Sequence, residues 1–192
     1  MGLLEPHGGG RRLFRRNALS RGFFDEIAQS RAGEASVITI HSLTHAIAAL
    51  EAAAEARCAV TLASAPGAGI YAGPGWWTAM IEAARAAVPA ARCAAVLDCG
   101  DDAGAAQAAI RAGSEAIVFT GDADLAARLA DIAGQRGARL LMVWPEPALD
   151  LGGEFFAAPE TLRRRCAAAL AQASLPGSAT AADHGDITSA TP

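Results

Sequence analysis

The chain reads as an α/β protein of repeated βα units around a parallel sheet, a partial TIM-barrel-like architecture of about five strands. Three observations predict it. Residues 37–40 (VITI), 59–63 (AVTLA), 94–97 (AAVL), 116–119 (AIVF) and 139–143 (RLLMV) are short apolar runs. They are continuous rather than alternating, which marks strands covered on both faces. Their starts fall near 37, 59, 94, 116 and 138, at spacings of 22, 35, 22 and 22 residues, with helix-period segments between them. Strands alternating with helices imply right-handed crossovers and parallel pairing.

Taken in order, the chain opens with a leader over residues 1–36. It carries Gly8, Gly9 and Gly10, an arginine cluster, and an apolar knot at Phe23, Phe24 and Ile27, which predicts a short helix around 17–30. No apolar run follows the arginines, so the leader does not read as a secretory signal. The βα domain occupies residues 37–173. Leu43, Ile47, Leu50 and Ala54 share one helical face, with Glu51 and Glu55 on the other. Met80, Ala83, Ala84 and Ala87 repeat the pattern, as do Ala105, Ala108 and Ala109, and then Leu125, Leu129 and Ile132. Gly113 and Gly137 follow two of these helices, where glycine supplies a left-handed residue. Pro145 and Pro147 end the fifth run, and residues 157–173 form a last helix. Residues 174–192 are too poor in apolar groups to offset ordering entropy and are expected to be disordered.

Composition excludes several chemistries. The chain has 192 residues, all 16 basic residues are arginine, and the net charge is −4. Without lysine there is no Schiff base, no lysine-bound pyridoxal phosphate and no Walker-type phosphate loop. The acidic balance leaves no footprint for nucleic acid, and no run is long and apolar enough to span a membrane. Cys58, Cys93, Cys99 and Cys166 form no Cys-x-x-Cys pair and read as reduced thiols of a cytoplasmic protein. Eight βα units need roughly 200–250 residues, so these five strands make either an open sheet or part of a barrel.

Ligands of parallel α/β folds bind at the carboxyl ends of the strands. There the chain places His41 and Ser42, the loop from Ser64 through Gly67 and Gly69, then Asp98 and Cys99, and then Thr120 and Asp122. Ser42, Asp101 and Asp122 suit helix N-caps, and Gly67 and Gly69 suit a turn. Asp98 ends an apolar strand before the capping position, which directs its carboxylate into the mouth of the sheet.

These residues resemble the class II, metal-dependent fructose-bisphosphate and tagatose-bisphosphate aldolases. The similarity runs through HSLTHAIAALEAA at 41–53, Ser64, IYAG at 70–73, AMIEAA at 79–84, VLDCG at 96–100, AAIRAG at 108–113 and AIVF at 116–119. It covers residues 37–143, about half of such a barrel. The resemblance implies Asp98 as the catalytic aspartate and Ser64, with Gly67 in the same loop, on the substrate side. Cys99 stands where the family has a zinc-binding histidine. With His41, and with Glu154 as a third candidate, it would hold zinc for an aldehyde-lyase acting on a small sugar phosphate or aldehyde. Thr39 and Thr120 replace an asparagine and an aspartate of the family pattern, and the family's other zinc histidines and phosphate-binding glycine loop belong to its second half. The alternative is a non-catalytic descendant that pairs with another chain. In either case strands 1 and 5 are expected to be edges, the face left by the missing half is expected to be apolar, and a homodimer or hetero-complex is expected to cover it.

Overall fold

The computed structural model describes residues 36–173; the leader helix expected at 17–30 and the tail at 174–192 lie outside the described residues. In chain order the elements are β1 (Ser36–Thr39), α1 (Leu43–Ala56), β2 (Ala59–Ala63), α2 (Ala68–Tyr71), α3 (Pro74–Ala87) and β3 (Arg92–Asp98). They continue with α4 (Ala103–Ala112), β4 (Ala116–Val118), α5 (Ala123–Gln135), β5 (Arg139–Leu141), β6 (Leu149–Asp150), a 3-10 turn (Gly152–Glu154) and α6 (Pro159–Ala173). The helices begin where short polar side chains satisfy free N–H groups. Ser42 accepts from the His45 amide, Asp102 from Ala105 and Asp122 from Leu125. Asp102, rather than the expected Asp101, is therefore the cap of α4.

All strands are parallel, in the order β5-β4-β3-β2-β1-β6. The fold class stands as expected, a parallel sheet of βα units in partial-barrel form, but with six strands. β6 pairs Leu149 with Ile38 and Asp150 with Thr39, so β1 is interior and the edges are β5 and β6. The expectation that strand 1 is an edge is thus corrected. A two-residue strand has no periodicity to read, which is why the sequence hides it.

Alternation divides the sheet into two faces. Ile38, Val60, Leu62, Leu97, Ile117 and Phe119 point to the helices and share one core with them. The last helix joins this layer through buried Leu162, Cys166 and Leu170, beside α1. On the other face Ala94, Val96, Ala116 and Val118 form a second, smaller cluster, against which Leu141 and Trp144 pack. Residues 142–148 run from β5 to β6, at opposite edges of the sheet, and Trp144 seats this crossing on the face turned away from the helices. Eight Cα steps reach at most about 28 Å, and five strand spacings laid flat are about 24 Å. A flat sheet would leave the crossing almost no slack; curling toward the bare face shortens the path. The apolar face is therefore made of small residues and is covered in part by the chain itself.

Candidate functional site at the carboxyl ends of the strands

Pairing register places the polar groups. Thr39 lies opposite Ala63 and Asp150, Ala63 opposite Val96, and Asp98 opposite Val118. Because Ile38 and Leu97 face the helices, Thr39, Asp98 and Asp150 all face the other side, toward the mouth.

Asp98 is 8% exposed, and its backbone and side chain are both clamped. Its amide donates to Ser64 Oγ at 3.0 Å, and its Oδ1 accepts from the Gly100 amide at 2.5 Å. The Ser64 hydroxyl in turn donates to the Ala65 carbonyl at 2.9 Å. Ser64 thus ties the end of β2 to the end of β3, and both its donor and its acceptor capacity are engaged by the chain. Gly67, at φ 70°, starts α2 in the left-handed region and brings Gly69 against β3. A Cβ at Gly69 would stand 2.8 Å from both the Asp98 carbonyl oxygen and Cys99 Sγ, so only glycine permits this approach.

A second group forms two strands away. His41 Nε2 lies 2.7 Å from Asp150 Oδ1, which also accepts from the Gly152 amide at 2.8 Å. The His41 amide donates to His45 Nδ1 at 3.2 Å, which assigns the remaining proton of a neutral His45 ring to Nε2. His45 Nε2 and Thr39 Oγ1 are buried without a hydrogen-bond partner among the described residues. The sequence reading missed Asp150, Thr39 and His45 as members of this group.

Electrostatics separates the two groups. Burial, followed by the nearby carboxylates of Asp98 and Asp102, pushes the Cys99 thiol up to about 12, and Cys99 is fully buried. It is a neutral thiol filling space beside Gly69. Cys99 and His41, expected together as metal ligands, follow β3 and β1, and β2 lies between those strands. No group of three His, Cys, Asp or Glu side chains among the described residues is arranged to hold a metal ion. A catalytic zinc needs three such ligands, which the described residues do not bring together.

His45 and Asp150 give the site a pH signature. Burial, then the neighbouring His41, holds the His45 pKa below the ordinary imidazole value, although Asp150 opposes the shift. Burial acts to raise Asp150, but the Gly152 amide and His41 outweigh it and hold the carboxyl below its ordinary range. Both folded values are depressed. Stability from His45 is therefore complete above about pH 6.5 and is lost as pH falls through its folded value; that from Asp150 is lost only in stronger acid. The melting temperature should decline as pH falls below about 6.5, and His45→Gln should flatten that slope. An unchanged slope in the variant removes His45 from this account.

A separate cleft lies between α3 and α4, away from the mouth. It measures about 500 Å³ including its open side and is lined by Trp77, Ile81, Arg85, Ser114 and Glu115 among others. Its charges are spent on each other: Arg85 Nη1 and Nη2 donate to Glu115 Oε1 and Oε2 at 2.5 and 2.8 Å.

A parallel sheet of six strands with alternating βα units is consistent with a partial α/β barrel, and in such folds the carboxyl ends of the strands are where ligands bind. No family model matches the chain, and no curated protein is significantly similar to it. Among solved structures it is similar to a protein from Coccidioides immitis assigned provisionally as a fructose-1,6-bisphosphate aldolase, at 18% identity and a TM-score of 0.47. The match covers 65% of this chain and 43% of that one, so the chain spans less than half the length of the structure it matches. The fold described above rests on its own strand order and pairing.

Proposed function

We propose that the protein is an aldolase-like enzyme that moves a proton at the reacting carbon of a small hydroxycarbonyl compound, a sugar phosphate or related aldehyde. The observation that carries this reading is Asp98, a carboxylate 8% exposed, pinned through its own amide and through the Gly100 amide, on the face where βα folds bind ligands. In the cleavage direction the hydroxyl proton is taken by a base as the carbon–carbon bond breaks. An aldehyde leaves, and the resulting enolate takes a proton at carbon. Asp98 is assigned that proton transfer. Ser64 and Gly67 act as positioning residues, holding the ends of β2 and β3 rather than contacting substrate through free polar groups. The His41–Asp150 pair lies at the carboxyl ends of β1 and β6, two strands from Asp98, and its fixed imidazole is assigned to a polar substituent.

Zinc dependence remains part of the family expectation, and it has its own test. Elemental analysis of the purified protein, together with turnover of a panel of small phosphorylated and free hydroxyketones, separates the possibilities. Turnover with stoichiometric zinc supports the zinc-dependent form, and turnover without metal supports Asp98 acting alone. No turnover by metal-free or zinc-loaded protein overturns the enzyme reading. Cys99→Ala should leave any bound metal in place, because the thiol is buried and protonated; loss of zinc in that variant would restore Cys99 as a ligand.

Assembly has its own support. The outer edge of β5 pairs with no strand among the described residues, and Met142 and Val143 beside it are exposed. Such an edge favours a homodimer or a second protein, and light scattering at micromolar concentration tests it: a stable 19.5 kDa monomer contradicts pairing. None of the described helices is long and apolar enough to cross a membrane, and four free cysteines suit a reducing, cytoplasmic setting.

A further inference from the structure

Exposed apolar groups are not spread evenly over this molecule. Nine of the ten exposed large hydrophobic residues lie in the loops or first helical turns at the carboxyl ends of the strands; only Ile132 lies elsewhere. Ile70, Tyr71, Trp76, Val143, Phe155 and Phe156 are the most prominent, and Phe156 is 97% exposed. The same loops contain no arginine, while Asp101, Asp102, Asp122, Asp124 and Asp150 are all exposed there. The mouth is thus ringed by a surface both apolar and strongly acidic. A patch of this kind marks an interaction surface, and its charge specifies a cationic, aromatic occupant.

The chain carries such a segment outside the described residues. Residues 11–24 read RRLFRRNALSRGFF, with five arginines, no acid, and Leu13, Phe14, Phe23 and Phe24 between them. From Ser36, at the start of β1, back to Phe24 is a span of up to about 40 Å, against about 13 Å for the four-residue strand itself. The segment can therefore reach the far end of the sheet. We infer that residues 11–24 dock on the acidic, apolar rim at the carboxyl ends of the strands. The inference stands whether or not that face is catalytic.

Hydrogen exchange on the full-length protein tests it. In the wild type, amides at 101–102, 122–125 and 152–156 should exchange about tenfold more slowly than in an Arg11, Arg12, Arg15 and Arg16→Ser variant, since several exposed ion pairs are individually weak but act together. An Asp101→Asn, Asp124→Asn variant, which leaves the capping aspartates intact, should lose the same protection. Unchanged exchange in β2 and β3 certifies that both variants are folded. Equal exchange at the mouth in wild type and variants overturns the inference. So does protection that rises with protein concentration, which would seat a second copy there. Vesicles rich in phosphatidylserine that bind wild type and the acidic-face variant equally would overturn it as well, by showing the arginines free.

Discussion

Asp98→Asn should lower turnover by about 10²–10⁴-fold, the usual worth of a positioned acid–base group, while the protein stays folded. Asparagine retains the shape of the side chain and an oxygen that can still accept from the Gly100 amide, which Oδ1 now does at 2.5 Å. The Asp98 amide bond to Ser64 Oγ is independent of the side chain and persists. What disappears is the capacity to take and return a proton. Asp98 is also the least replaceable group at the mouth, because Ser64 is consumed by structural hydrogen bonds and Cys99 is a buried thiol. An Asp98→Asn protein that turns over its substrate at the wild-type rate removes the assignment, and the proposed chemistry with it.

Glu115→Ala should be the most destabilising single change outside the apolar core, by about 3 kcal/mol. Glu115 has only 10% of its side chain exposed, and Arg85 only 30%. The pair is two-pronged, and Glu115 Oε2 also accepts from the Ala95 amide at 3.2 Å. Arg85 further donates to the Cys93 carbonyl at 3.0 Å and to Cys93 Sγ at 3.3 Å. The network therefore ties the last turn of α3 to the start of β3 and the entry to β4. Removing Glu115 leaves a guanidinium that is mostly out of water with no counter-charge. A loss of this size lowers the melting temperature by roughly 6–12 °C in a domain of this length. Arg85→Met combined with Glu115→Leu should recover much of it, since replacing both partners avoids the unpaired charge. A Glu115→Ala variant melting within about 2 °C of wild type would show that the pair contributes little.

The parts of the fold legible in the sequence were those with a period. The five apolar runs became β1 to β5, and the alanine-rich segments between them became helices, because repeated spacing survives whatever the neighbours do. β6 was not legible. Leu149 and Asp150 are too short to show alternation, and only their pairing with Ile38 and Thr39 makes them a strand. With β6 missed, the closeness of His41 and Asp150 was missed too, since 109 residues separate them. Trp144 lies beyond β5, in the crossing that packs on the small cluster of Ala94, Val96, Ala116 and Val118, a tertiary contact with no signal in the local sequence.

At the site, Asp98 could be found from position alone: a carboxylate directly following an apolar strand has few places to point. Cys99 could not be judged that way. Its neighbour Gly69 closes over it from a loop thirty residues earlier, and that burial is a tertiary fact. Gly67 was legible as a turn residue, and its positive φ accounts for it without a ligand. Ser64 stood at the expected strand end, but its partners, the Asp98 amide and the Ala65 carbonyl, are backbone groups that no motif reveals.

The ligand site is expected at the carboxyl ends of the strands, between Asp98 and the His41–Asp150 pair. Titration of the isotope-labelled full-length protein with dihydroxyacetone phosphate, a small phosphorylated hydroxyketone, tests this directly by amide chemical-shift changes. Saturable shifts should concentrate at Ala65, Gly100, Thr120 and Gly152. Shifts confined to Ala112, Gly113 and Ser114, on the cleft between α3 and α4, would contradict it, as would a spectrum that does not change.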